Sequence, residues 1–92
     1  MVKKINVSHI LLTYEYEAKD ILRALKEGKS FEDLAQKYSK CSSAENGGNL
    51  GDVPLSRLDS DFAEAAMALA KDSVTKVPIR TKFGYHIIKR NK

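Results

Sequence analysis

The first apolar run of the chain limits its fold more than any other feature. Residues Ile5 to Leu12 read Ile-Asn-Val-Ser-His-Ile-Leu-Leu, rich in β-branched and aliphatic side chains and bounded by polar residues. A run so nearly continuous suits a strand buried on both faces. A second such run, Tyr85 to Lys89, closes the chain, and each carries one histidine in its middle, His9 and His86. At 92 residues the chain is one domain's worth, so residues 1–92 read as a single domain with a small core.

Between these runs the pattern turns helical. Ala18, Ile21, Leu22 and Leu25 form an i, i+3, i+4, i+7 stripe, which predicts a helix from Glu17 to Glu27 stopped by Gly28. Tyr14 to Glu17 is a short connection or that helix's first turn. Ser30 is a good N-cap, with Asp33 completing a variant of the capping box, and Phe31, Leu34, Ala35 and Tyr38 repeat the stripe to about Ser39. A polar, Gly-ending loop or short turn follows from Cys41 to Gly48. Leu50 to Pro54 is a short strand that Pro54 ends or places at an edge. Asp59, Ser60 and Asp61 open a third helix striped by Phe62, Ala65, Ala66 and Leu69. Val77 to Arg80 is an outer strand, and Thr81 to Gly84 a tight reversal into the last one. The order β-α-α-loop-β-α-β-β, with one terminal hairpin and no βαβ alternation, predicts an α+β fold with a mainly antiparallel sheet.

Composition excludes several classes of function. Lys+Arg 16 against Asp+Glu 12 gives +4, too weak to demand a nucleic acid, and the basic residues are scattered without interleaved aromatics. No apolar run approaches the length that spans a bilayer, so no membrane partner is expected. The single cysteine cannot form an internal disulfide. The lysines at the N-terminus lead into a run broken by Asn6, Ser8 and His9, not into a signal peptide. A cytoplasmic monomer is the expectation.

A lone mid-strand histidine is most often a core residue satisfied by a neighbour. Two of them, in the first and last apolar runs, invite another reading. If those strands pair, neutral imidazoles with one donor and one acceptor each can satisfy one another or a polar neighbour. Zinc would need further ligands, and only Cys41 and scattered carboxylates remain, so no metal or other cofactor is expected. Cys41 is a small buried hydrophobe or a nucleophile beside a histidine, but no oxyanion hole is marked out. The segment Gly47-Gly48-Asn49-Leu50-Gly51 lacks the ending of a phosphate loop and leads into a strand, so it reads as a turn.

In order along the chain, five motifs resemble those of the parvulins. Ser8-His9-Ile10-Leu11-Leu12 is similar to their opening strand. Ser30-Phe31-Glu32-Asp33-Leu34-Ala35 resembles their Phe-x-x-Leu-Ala helix. Gly47-Gly48-Asn49-Leu50-Gly51 is close to their Gly-Gly-Asp-Leu-Gly, and Phe62-Ala63-Glu64-Ala65-Ala66 resembles a further helix. Phe83-Gly84-Tyr85-His86-Ile87-Ile88 matches their closing motif almost letter for letter. The resemblance runs from about Lys4 to Arg90, and five motifs in order and at the right spacing are specific.

It implies a β-α3-β-α-β2 fold and a peptidyl-prolyl cis–trans isomerase acting on proline-containing peptides and on unfolded or nascent proteins. It also implies catalytic positions at His9, Cys41, Thr81 and His86, and a proline pocket of Leu50, Leu58 and Phe62. Cys41 falls where the family carries Cys or Asp, which implies a noncovalent role. The chain departs from the pattern at Asn49 for Asp, Val53 for an aromatic and Leu58 for Met, the last conserving volume. The phosphate-directed branch has a basic cluster after its first strand and a Ser at position 83. Here Thr13-Tyr14-Glu15-Tyr16-Glu17 is acidic and Phe83 replaces that Ser, so a phosphoserine would be repelled. The chain is closer to the small stand-alone prokaryotic parvulins. A proline-segment binder with little turnover, or a small nucleic-acid binder, is the competing expectation.

Overall fold

The computed structural model describes residues 4–92. Along the chain run β1 (Lys4–Leu12), α1 (Glu15–Lys26), α2 (Phe31–Tyr38), β2 (Asn49–Pro54), α3 (Ser60–Ala68), β3 (Ile79–Thr81) and β4 (Gly84–Arg90). Short 3-10 turns occupy Ser42–Asn46 and Leu55–Arg57. The strands form one sheet in the order β2-β1-β4-β3, with antiparallel neighbours throughout. The α+β expectation holds, and the first 3-10 turn stands where the resemblance implied a third helix.

The element ends differ from the sequence reading for local reasons. Helix α1 starts at Glu15 rather than Glu17, because the Tyr14 N–H donates to Glu17 Oε1 (3.0 Å) and closes the first turn. At α2, Ser30 Oγ accepts from the Asp33 N–H (3.2 Å), which is half of the expected capping box. Asp33 is a methylene shorter than Glu and makes no return bond among the described residues. The Ser30 hydroxyl donates instead to Glu32 Oε2 (3.1 Å). Strand β3 begins at Ile79 rather than Val77, since Pro78 has no N–H to give a ladder.

Both faces of β1 are covered, which is why its sequence scarcely alternates. On one face Ile10, Leu12 and Ile87 pack against Ala18 and Ile21 of α1 and Phe31, Leu34 and Ala35 of α2. On the other, Ile5, Val7 and Ile88 pack against Phe62 and Ala66 of α3. Each fully buried aliphatic side chain contributes about 1.5–3 kcal/mol. Side chains alternate along a strand, so His9 lies with Val7, and His86 with Ile88, beneath α3. Arg90 of β4 holds the far end of that helix, its Nη1 donating to the Leu69 carbonyl (3.0 Å).

Strand β2 pairs β1 only as far as Ser8. Beyond it, the loop after α2 takes over the edge of β1. The His9 N–H donates to the Gly48 carbonyl (2.9 Å), the Leu11 N–H to Ser39 Oγ (3.0 Å), and the Lys40 N–H to the Leu11 carbonyl (2.8 Å). The loop bearing Cys41 is thereby strapped beside the histidine strand. Gly48 is required there: at φ +85, a Cβ would overlap the His9 carbonyl oxygen and press on Ala35.

Candidate active site

The register of β1 with β4 sets Leu11 opposite His86 and His9 opposite Ile88. His9 and His86 are thus diagonal neighbours on one face, within reach of each other's side chains. Their Nδ1 atoms lie 2.9 Å apart, with the rings nearly parallel at 17°. His86 Nε2 lies 2.7 Å from Thr81 Oγ1, and that oxygen also accepts the Phe83 N–H at 3.2 Å. Both imidazoles are buried, His9 at 5% exposure and His86 at 4%. Burial holds each well below the usual 6.5, to about 4. The neighbouring His86 charge lowers His9 further, whereas the Asp59 carboxylate pulls His86 upward against its burial. Both rings are neutral at pH 7.

An Nδ1-to-Nδ1 contact between neutral rings holds one proton, not two. Among the described residues His9 Nε2 is buried without a partner. A proton there would be an orphaned donor, and orphaned buried N–H groups are rarer than under-used acceptors. The proton of His9 therefore sits on Nδ1 and is donated to His86 Nδ1. His86 then carries its proton on Nε2 and donates to Thr81 Oγ1. The threonine oxygen accepts twice, which leaves its own hydroxyl proton free to point outward.

An apolar cluster adjoins this chain of bonds. Phe62, on the first turn of α3, meets both imidazoles edge-on, with centroids 5.6 Å from His9 and 5.1 Å from His86. At 3% exposure it is buried, and the half-buried Leu50 and Leu58 pack against the same cluster. Leu50 arrives through a β-bulge. Val7 pairs with Gly51 and Ser8 with Asn49, so Leu50 is the extra residue between them. Gly51 takes φ +71, and its N–H donates to Asn49 Oδ1 (2.7 Å). Asn at position 49 supplies the same acceptor oxygen that the family's Asp would.

The structure thus brings together His9, His86, Thr81 and Phe62, with Leu50 and Leu58 in the same apolar cluster. Cys41 stands apart. It is half-buried just before the Ser42–Asn46 turn, its N–H facing Ser39 Oγ (3.4 Å). Among the described residues no hydrogen bond joins its thiol to either imidazole. Asp59 is the residue that sequence reasoning missed. The sequence marks it only as a helix cap, which it is, accepting the Asp61 N–H at 3.0 Å. Its charge also reaches His86. The signal was its place beside Phe62 at the start of one helix. Among the described residues, no group of three or more His, Cys, Asp or Glu is placed to hold a metal ion.

A neutral imidazole pair on an antiparallel sheet, against an apolar cluster under a short helix, defines a protein of the parvulin class. The solution structure of NmPin, the parvulin of Nitrosopumilus maritimus, superposes with a TM-score of 0.85 and 41% identity, over 100% of this chain and 99% of that one. The rotamase family model, the PPIC-type PPIase domain, matches residues 9–92, and the chain belongs to that family. The crystal structure of PrsA from Bacillus subtilis superposes with a TM-score of 0.92 and 42% identity, over 98% of this chain and 35% of that one. Foldase protein PrsA 1 of Bacillus cereus is 45% identical over 87 residues, which is 94% of this chain and 30% of that protein. The chain spans about a third or less of the curated relatives it matches.

Proposed function

We propose that this domain catalyses cis–trans isomerisation of Xaa-Pro peptide bonds. The supporting observation is the convergence of the His9–His86–Thr81 chain and the Leu50, Leu58, Phe62 cluster on one sheet face, and we read that cluster as the cup for the proline ring. The amide barrier is about 18–20 kcal/mol because rotation breaks resonance. A thousandfold acceleration needs only about 4 kcal/mol of preferential binding to the twisted form. The cup holds the proline ring while the preceding carbonyl swings. As conjugation is lost, the amide nitrogen regains its lone pair and the carbonyl oxygen loses negative charge. A hydroxyl proton at Thr81, oriented by the two neutral imidazoles, is a donor such a nitrogen can use. The histidines are then positioning residues first. No bond is made or broken, so Cys41 serves as a noncovalent contributor to the field of the site.

The substrates we assign are proline-containing segments of unfolded or nascent proteins, in keeping with the name foldase carried by the Bacillus relatives. The acidic segment from Thr13 to Glu17 and the exposed Phe83 favour unphosphorylated segments. We assign it as a monomer working in the cytoplasm, where the free thiol of Cys41 suits a reducing interior.

Exchange NMR on a short Xaa-Pro peptide tests the activity. Cross-peaks between cis and trans resonances at catalytic enzyme ratios are expected. Chemical-shift changes without exchange would mark a binder and end the isomerase reading.

A further inference from the structure

A concave site lies on the sheet face opposite the histidines, between the end of α1 and the segment before β3. It is a groove of about 840 Å³, within the range of ligand-binding clefts. Its floor is apolar: Leu22, Leu25, Phe31 and Val74. Around the floor stand Arg23, Lys26, Lys29, Lys76 and Lys89, against the single acid Asp72. Two of the cations are partly engaged, Arg23 with Asp20 (3.7 Å) and Lys89 with Glu32 (3.5 Å). Lys26, Lys29 and Lys76 are exposed and have no ion-pair partner among the described residues. A protein of only +4 overall has thus concentrated five cations on one apolar cleft.

We propose that this groove docks an acidic polypeptide segment that carries apolar anchor residues. The charge selects carboxylates, and the floor asks for side chains to be inserted among them. The floor residues are buried or half-buried, so the cleft receives apolar groups and does not project them. That shape suits a peptide better than a flat anionic membrane. The proline cup faces the other side of the sheet, under α3, so a chain held here leaves the isomerase site open. The groove gives the domain a hold on an acidic partner segment that is separate from the isomerase site, so it stands independently of the isomerase reading.

The test uses the full chain, isotope-labelled, titrated with a proline-free acetylated peptide, Glu-Glu-Leu-Phe-Glu-Glu. The same peptide with Gln for every Glu, and vesicles of phosphatidylserine in phosphatidylcholine, are run beside it. The expected result is saturable amide shifts at Leu22, Leu25, Phe31, Val74 and Lys76, with none at His9 or Thr81. The Gln peptide should bind at least about tenfold more weakly, and added salt should weaken the acidic peptide several-fold. The triple variant Lys26→Glu, Lys29→Glu, Lys76→Glu should lose at least about tenfold in affinity, with Xaa-Pro exchange unchanged. The milder Lys-to-Gln triple should fall between it and the parent. Equal binding of both peptides, shifts centred on the proline cup, or vesicle binding with no peptide shifts would overturn the proposal.

Discussion

Acid should unfold this protein by an amount that its two histidines set. Each imidazole is held to about 4 in the fold, against 6.5 in the unfolded chain. Between those values the unfolded state binds more protons, so stability is fully present above about pH 6.5 and is lost as pH falls toward 4. From about pH 7.5 to about pH 5, each imidazole forfeits about 2 kcal/mol, and the pair about 4 kcal/mol. That is a large share of the roughly 5–15 kcal/mol that holds a small domain together. The chain has two histidines in all, and both are in this pair. Glu32, whose carboxyl is lowered by its own backbone hydrogen bond first and by Lys89 and Ser30 after, titrates below its usual value. Urea denaturation at half-unit pH steps measures the slope, and imidazole NMR measures the folded protonation directly. A stability that stays flat across this window would refute the reasoning, as would either folded imidazole titrating near 6.5.

Three substitutions probe the site further. Phe62→Leu should cost only about 1 kcal/mol of stability, since it keeps most of the apolar volume, but isomerisation should fall about tenfold or more as the cup floor and its edge contacts go. An equal loss in both assays would count against the pocket. Gly48→Ala should destabilise by about 2–3 kcal/mol, from left-handed strain and the collision with the His9 carbonyl; thermal melting with a shift below about 4 °C would show that the strap is loose. Cys41→Asp should keep measurable turnover in the exchange assay, whereas a covalent adduct seen at Cys41 by mass spectrometry during turnover would reverse the assignment.

Much of this protein is written locally. The stripe Ala18, Ile21, Leu22, Leu25 forms α1 because helical periodicity and burial on one face are properties of a dozen consecutive residues. The near-continuous run from Ile5 to Leu12 announced a strand covered on both sides, and helices do pack on both. The motif Gly47 to Gly51 could be matched to a family by its letters, but its work lay elsewhere. Gly48 is there for the His9 carbonyl, and Gly51 for a bulge that turns Leu50 toward Phe62. Tertiary structure alone decided that His9 and His86, seventy-seven positions apart, are diagonal neighbours, that Asp59 reaches His86, and that Cys41 makes no bond to the pair. Those relations hang on the register between strands, where a slip of one residue would turn every side chain to the other face.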